Sequence, residues 1–66
     1  MHGIAILKRE IQIQDRILGV GTQGIITAYL PEENIFAVHF GGSDWIRFDA
    51  NESEFREIFD IIDKTT

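Results

Sequence analysis

The chain has 66 residues, no cysteine and a net charge of −5, with 44% apolar and 26% charged residues. That length bounds it to one domain, residues 1–66, whose core is small enough to be marginal on its own. The missing thiols exclude disulfides and thiolate metal sites, and the acidic surplus disfavours direct binding to nucleic-acid phosphates.

Charge is unevenly spread. Lys8, Arg9 and Arg16 outweigh Glu10 and Asp15 in the first third, whereas the rest is strongly acidic. No apolar run approaches the roughly 20 residues that span a bilayer. The opening MHGIAILKRE has no basic segment ahead of its short apolar run, so no signal peptide is expected. The expected location is the cytoplasm.

In chain order, GIAILKREIQIQ begins apolar and then alternates Ile11, Gln12, Ile13, Gln14, which predicts strand. Gly19, Gly21 and Gly24 follow closely and mark a loop or a bent strand entry. They match G-x-G-x-x-G in spelling. However, the β-branched and aromatic IITAYL comes next instead of a helix, so no phosphate cradle is expected. GIITAYL reads as a strand, PEEN as its turn, IFAVHF as the next strand, and GGS as a second turn into DWIRFD. Together these predict a three-strand antiparallel meander.

Side chains alternate faces along a strand. A three-residue loop Gly41-Gly42-Ser43 sets Phe40 opposite Asp44, Val38 opposite Ile46 and Phe36 opposite Phe48, uniting one apolar face. His39 then faces Trp45, and Ala37 faces Arg47, on the second face. If the Pro31–Glu33 turn keeps the same parity, Ile26, Ala28 and Leu30 join the first face, and Ile25, Thr27 and Tyr29 join the second. That second face is too apolar to be left wholly in water.

At the end of the chain, Phe55, Ile58, Phe59 and Ile62 form an i, i+3, i+4, i+7 stripe. Asn51 and Glu54 spell a capping box. This pattern favours a C-terminal helix. The competing reading is one helical turn at 52–55 followed by a closing strand at 56–62.

From residue 15 to 58 the layout resembles small SH3-like barrels. GVGTQGIITAY is an early glycine loop before a strand, IFAVHF a middle strand, GGSDWIRF a glycine hairpin and ESEFREI a closing element. AVHFGGSDWIRF is similar to the glycine–tryptophan hairpin of the SH3-like accessory subunits of photosynthetic electron-transfer complexes, which dock ferredoxin. The resemblance implies a small SH3-like antiparallel barrel, or bent meander, that acts as a docking module. Docking surfaces for acidic ferredoxin are typically basic, and this chain is acidic, so that partner is not carried over. No ALYDY-like stretch is present, and binding of proline-rich peptides is not implied.

Candidate chemistry is sparse. His2 and His39 are the only histidines, and His39 opposite an aromatic residue reads as a packing residue before a ligand or base. Ser43 reads as a turn residue, with no base and acid arranged to activate it. The carboxylates Glu32, Glu33, Glu52, Glu54 and Glu57 read as a solvated acidic face. No catalytic residue, cofactor site, metal site or small-molecule substrate is expected.

Trp, Tyr and Arg are the types most enriched at binding hot spots. Tyr29, Ala37, His39, Trp45 and Arg47 are therefore the candidate partner-binding set. The expected function is a non-catalytic interaction or accessory module, self-associating or docking a protein partner, with no nucleic-acid or membrane binding. The alternative is an acidic mimic of nucleic acid that inhibits a nucleic-acid-binding protein.

Overall fold

GIAIL alternates small or apolar residues inward with isoleucines outward, and it forms the strand around which the rest assembles. The computed structural model describes residues 3–13, 15–41 and 44–63. His2, Gly42 and Ser43, named above, lie outside them. The elements in order are β1 (Gly3–Leu7), β2 (Ile11–Ile13), β3 (Arg16–Leu18), β4 (Gln23–Leu30), a 3₁₀ turn at Pro31–Glu33, β5 (Ile35–Gly41), β6 (Asp44–Asp49), α1 (Glu52–Ile58) and β7 (Phe59–Asp63). Five strands make one antiparallel sheet in the order β6-β5-β4-β1-β7, and β2 and β3 form a second, two-stranded antiparallel sheet. The protein is mainly β with one helix near its C-terminal end, as expected. Among the described residues β6 and β7 are the two edges of the sheet, and no closed barrel is present.

The predicted β5–β6 register is observed. Phe36 pairs with Phe48, Ala37 with Arg47, Val38 with Ile46 and His39 with Trp45. The hairpin end differs. A bulge at Phe40 brings Gly41, rather than Phe40, opposite Asp44, and Gly41 adopts φ +110°, a conformation costly for any residue with a Cβ.

A second irregularity corrects the reading of β4. Ile26 pairs with Val38, but Ala28 pairs with Ala37 and Tyr29 with Phe36, so Thr27 is the extra residue of a bulge. Beyond it every side chain changes face. Tyr29 therefore stands on the core face beside Phe36, not on the second face with Trp45. Ala28 and Leu30 move outward in exchange.

The C-terminal stretch combines both expectations. Asn51 caps α1, accepting a hydrogen bond from the Glu54 amide at 2.8 Å, while the Glu54 carboxylate accepts from the Asn51 amide at 3.3 Å. The helix stops at Ile58 because β1 offers an open edge. Leu7 through Gly3 pair with Phe59 through Asp63, and the Phe59–Asp60–Ile61–Ile62 alternation suits a strand. Lys8 fastens the junction: its amide donates to the Ile58 carbonyl at 2.8 Å and its ammonium to the Arg56 carbonyl at 2.9 Å. Ile62 consequently leaves the predicted helical stripe and stands on the outer face of the sheet.

The core lies between one face of the sheet, α1 and the β2–β3 hairpin. Ala5, Leu7, Ile26, Phe36, Val38, Phe55 and Phe59 are buried, and Ile11 and Leu18 of the hairpin pack against them. All five phenylalanines touch in one network: Phe36 stacks on Phe55 at 4.4 Å, and Phe59 meets Phe55, Phe48 and Phe40 at 4.9, 5.3 and 6.1 Å. Close approach of the sheet to this cluster needs Gly24. A Cβ there would lie 2.5 Å from Val38 Cγ1 and 2.9 Å from Phe40 Cδ1. That is the physical role of the third glycine in the G-x-G-x-x-G spelling.

Candidate functional site

The outer face of the sheet follows from the pairings. Trp45 on β6 lies opposite His39 on β5, His39 opposite Ile25 on β4, Ile25 opposite Ile4 on β1, and Ile4 opposite Ile62 on β7. Directly opposed residues share a face, so these five side chains form one row across the full width of the sheet. Trp45, Ile25 and Ile62 are 56%, 59% and 47% exposed, while Ile4 and His39 are half-buried. The row is apolar except for one imidazole.

The bulge at Thr27 places the indole. Trp45 Nε1 donates to Thr27 Oγ1 at 3.2 Å, and Thr27 Oγ1 donates to the Ala37 carbonyl at 3.3 Å. Trp45 stands on β6 and Thr27 on β4, so the indole must lie across β5 to make this bond. Ala37 is 2% exposed although it stands on the outer face, as expected beneath such a cover. Tryptophan thus presents a flat, anchored plate to solvent. Arg47, next along β6, donates to Asp49 Oδ1 at 3.0 Å, and both are exposed. An open depression of about 420 Å³ lies where β4 begins and β5 ends, lined by Ile4, Ile25 and His39 of the row and by Gln23, Gly24, Phe40 and Gly41.

Of the expected set, Ala37, His39, Trp45 and Arg47 share this face, with Ala37 buried beneath it. Tyr29 is elsewhere. Its ring meets Phe36 edge-on at 5.1 Å, and its hydroxyl donates to Glu52 and accepts from Arg56 Nη2 at 3.3 Å. Glu52 and Arg56 are themselves paired at 4.0 Å, one helical turn apart. The sequence reading missed Ile4 and Ile62 as members of the face. The alternation of GIAIL carried a signal for Ile4, but Ile62 needed the helix to end early.

Glu32 and Glu33 lie exposed on the 3₁₀ turn, Glu52 and Glu54 are engaged at the start of α1, and Glu57 is exposed farther along it. Among the described residues no three His, Asp or Glu side chains form a metal-sized group. No helix there is long and apolar enough to cross a membrane. No protein-family model matches the chain, and neither a curated protein nor a solved structure is significantly similar to it.

Proposed function

We propose that the chain is a non-catalytic, SH3-like interaction module that works by burying the outer face of its sheet against protein, in the first place another copy of itself. The single observation that carries this reading is the row Trp45–His39–Ile25–Ile4–Ile62, which crosses all five strands with Trp45, Ile25 and Ile62 exposed and His39 and Ile4 half-buried. Soluble domains seldom leave so continuous an apolar band in water without a use for it. The anchored indole suits a hot spot, because a side chain already fixed by a hydrogen bond loses little conformational freedom on binding. The SH3-like reading draws support from the order of the first parts: a glycine loop, a long strand, a middle strand and a hairpin partner strand follow one another as the resemblance implies, while ESEFREI, its closing element, is a helix.

Trp45→Ala tests the proposal. The expected outcome is loss of self-association at concentrations where the parent associates, with far-UV circular dichroism and cooperative unfolding retained. A variant that unfolds, or one that associates as the parent does, removes Trp45 from the function.

A further inference from the structure

The sheet comes apart where β4 begins and β5 ends. The ladder between these strands runs from Leu30 and Ile35 to Ile25 and His39, and stops there. Both strands nonetheless continue. Gln23 and Gly24 still pair with Ile6 and Ala5 of β1, and Gly41 pairs with Asp44 of β6. A bulged strand bends, and the bulge at Phe40 falls at this point. Over its last residues β5 stays with β6 and leaves β4, and the open depression of about 420 Å³ lies in the gap.

The direction of the backbone groups at the gap follows from the next strand. Leu7 donates to the Thr22 carbonyl at 2.9 Å and accepts from the Gly21 amide at 2.8 Å, so both of its groups point toward the chain entering β4. Hydrogen-bonded and non-hydrogen-bonded pairs alternate along an antiparallel ladder. Ala5 therefore exchanges hydrogen bonds with Gly24 opposite it. Gln23 and Ile25 turn their N–H and C=O groups the other way, toward β5. Ile25 meets His39 there. Among the described residues, none of β5 pairs with Gln23. Its donor and acceptor stand side by side at the depression, as a strand presents them to a neighbour.

The surroundings are mostly apolar. Ile4, Ile25 and Phe40 line the depression, and Gly24 and Gly41 leave the backbone bare. Nothing lies within 4 Å of the place a Gly41 Cβ would take. Small-molecule sites combine such walls with a few fixed polar groups, in volumes of about 300–1,000 Å³. The volume here suits one or two rings. A partner for the two groups of Gln23 must carry an acceptor beside a donor. A carboxylate lacks the donor, and an ammonium lacks the acceptor. The cis-amide edge of a lactam, or a primary carboxamide, carries both in one plane.

We propose that the gap between β4 and β5 binds a small flat ring molecule with an amide edge, a lactam or an aromatic carboxamide. The amide edge completes the interrupted ladder at Gln23, and the ring lies against Ile25 and Phe40. The site is additional to the interaction surface described above. It was not expected from the sequence, because the strands part through pairings with β1 and β6 that no local pattern announces. It shares Ile4, Ile25 and His39 with the outer row, so a bound ring and a protein docked over the row compete.

The test is amide-resolved NMR on the full chain, below the concentration at which it associates. Carbostyril, a flat two-ring lactam, is the probe. N-methylcarbostyril keeps the rings and the acceptor but lacks the donor. In the free protein the Gln23 amide should exchange its hydrogen faster than the Gly24 and Ile25 amides that flank it. Carbostyril should shift the Gln23, Ile25 and Gly41 amides saturably and slow exchange at Gln23. The N-methyl compound should bind at least about tenfold more weakly, because it leaves the Gln23 carbonyl without a donor. A Gln23 amide as protected as its neighbours would overturn the open gap. No saturable shift up to the solubility limit of carbostyril would overturn the site. Equal binding of the two compounds would overturn the amide edge and leave only apolar adhesion. These readings come from single amides and stand or fall separately from self-association.

Discussion

Gly24→Ala is the sharpest test of how the sheet meets its core. In an ordinary strand this change is favourable by roughly 0.5–1 kcal/mol, because glycine loses more backbone freedom on folding. Here the new methyl would lie 2.5 Å from Val38 Cγ1 and 2.9 Å from Phe40 Cδ1. Val38 is fully buried and Phe40 is held against Phe59, so neither can withdraw without disturbing the phenylalanine network. Overpacking of this kind costs about 1–3 kcal/mol. Taking about 2–3 kcal/mol for a contact as short as 2.5 Å, the clash outweighs a backbone gain of about 1 kcal/mol and leaves a net loss of about 1–2 kcal/mol. For a domain of this size that lowers Tm by roughly 5–15 °C. Thermal and urea unfolding at one fixed, low protein concentration measure it, because association makes Tm depend on concentration. Val38→Ala, a buried truncation that is costly in the parent, should cost less in the Gly24→Ala background, and the double-mutant cycle should show coupling of at least ~1 kcal/mol. A Gly24→Ala protein as stable as the parent, or more stable, refutes the close approach of β4 to the core.

Phe59→Ala removes the ring that joins Phe40, Phe48 and Phe55, and it should cost about 3–5 kcal/mol, enough to leave much of the protein unfolded at 25 °C. Phe40→Ala should cost less, because Phe40 is only half-buried and makes the most distant of these contacts; equal losses in urea unfolding would contradict that order. Asn51→Ala deletes the capping box at α1 and should destabilise by about 1 kcal/mol in the same assay. Tyr29→Phe removes the hydroxyl held by Glu52 and Arg56. It should cost about 1 kcal/mol and leave self-association unchanged, because Tyr29 stands on the core side of the bulge. A dimer weakened by Tyr29→Phe would return Tyr29 to the interface.

Much of this architecture is legible in the residues, and the departures have local causes. The β5–β6 register could be read because an even pair sum puts Phe36, Val38, Ile46 and Phe48 on a common face, and the shortness of the glycine turn in the sequence selects one such alignment. No such alignment distinguishes the two faces of ITAYL, since Ile, Ala, Tyr and Leu suit either. One extra residue at Thr27 was enough to carry Tyr29 inward and Leu30 outward. The bulge is stabilised by hydrogen bonds to Ala37 and from Trp45, partners far from Thr27 in the chain. No local pattern announces them. At the end of the chain, FREIFDII satisfies a helical stripe and a strand alternation in different halves. The free edge of β1, a tertiary feature, decides where one gives way to the other.

Trp45, His39, Ala37 and Arg47 were placed together from spacing alone. The two isoleucines that extend their face to the far edge were not, because Ile4 and Ile62 reach it through pairings between opposite ends of the chain.

The measurement that addresses the central claim most directly is solution mass by light scattering, across a dilution series and at low and high salt. An apolar row across five strands predicts a reversible dimer that dissociates on dilution and is retained, or strengthened, as salt screens the repulsion between two acidic copies. A monomer at every concentration and salt would contradict it. So would an assembly that falls apart as salt is added, which would assign association to the charged surfaces and leave the row of Trp45, Ile25 and Ile62 without a function.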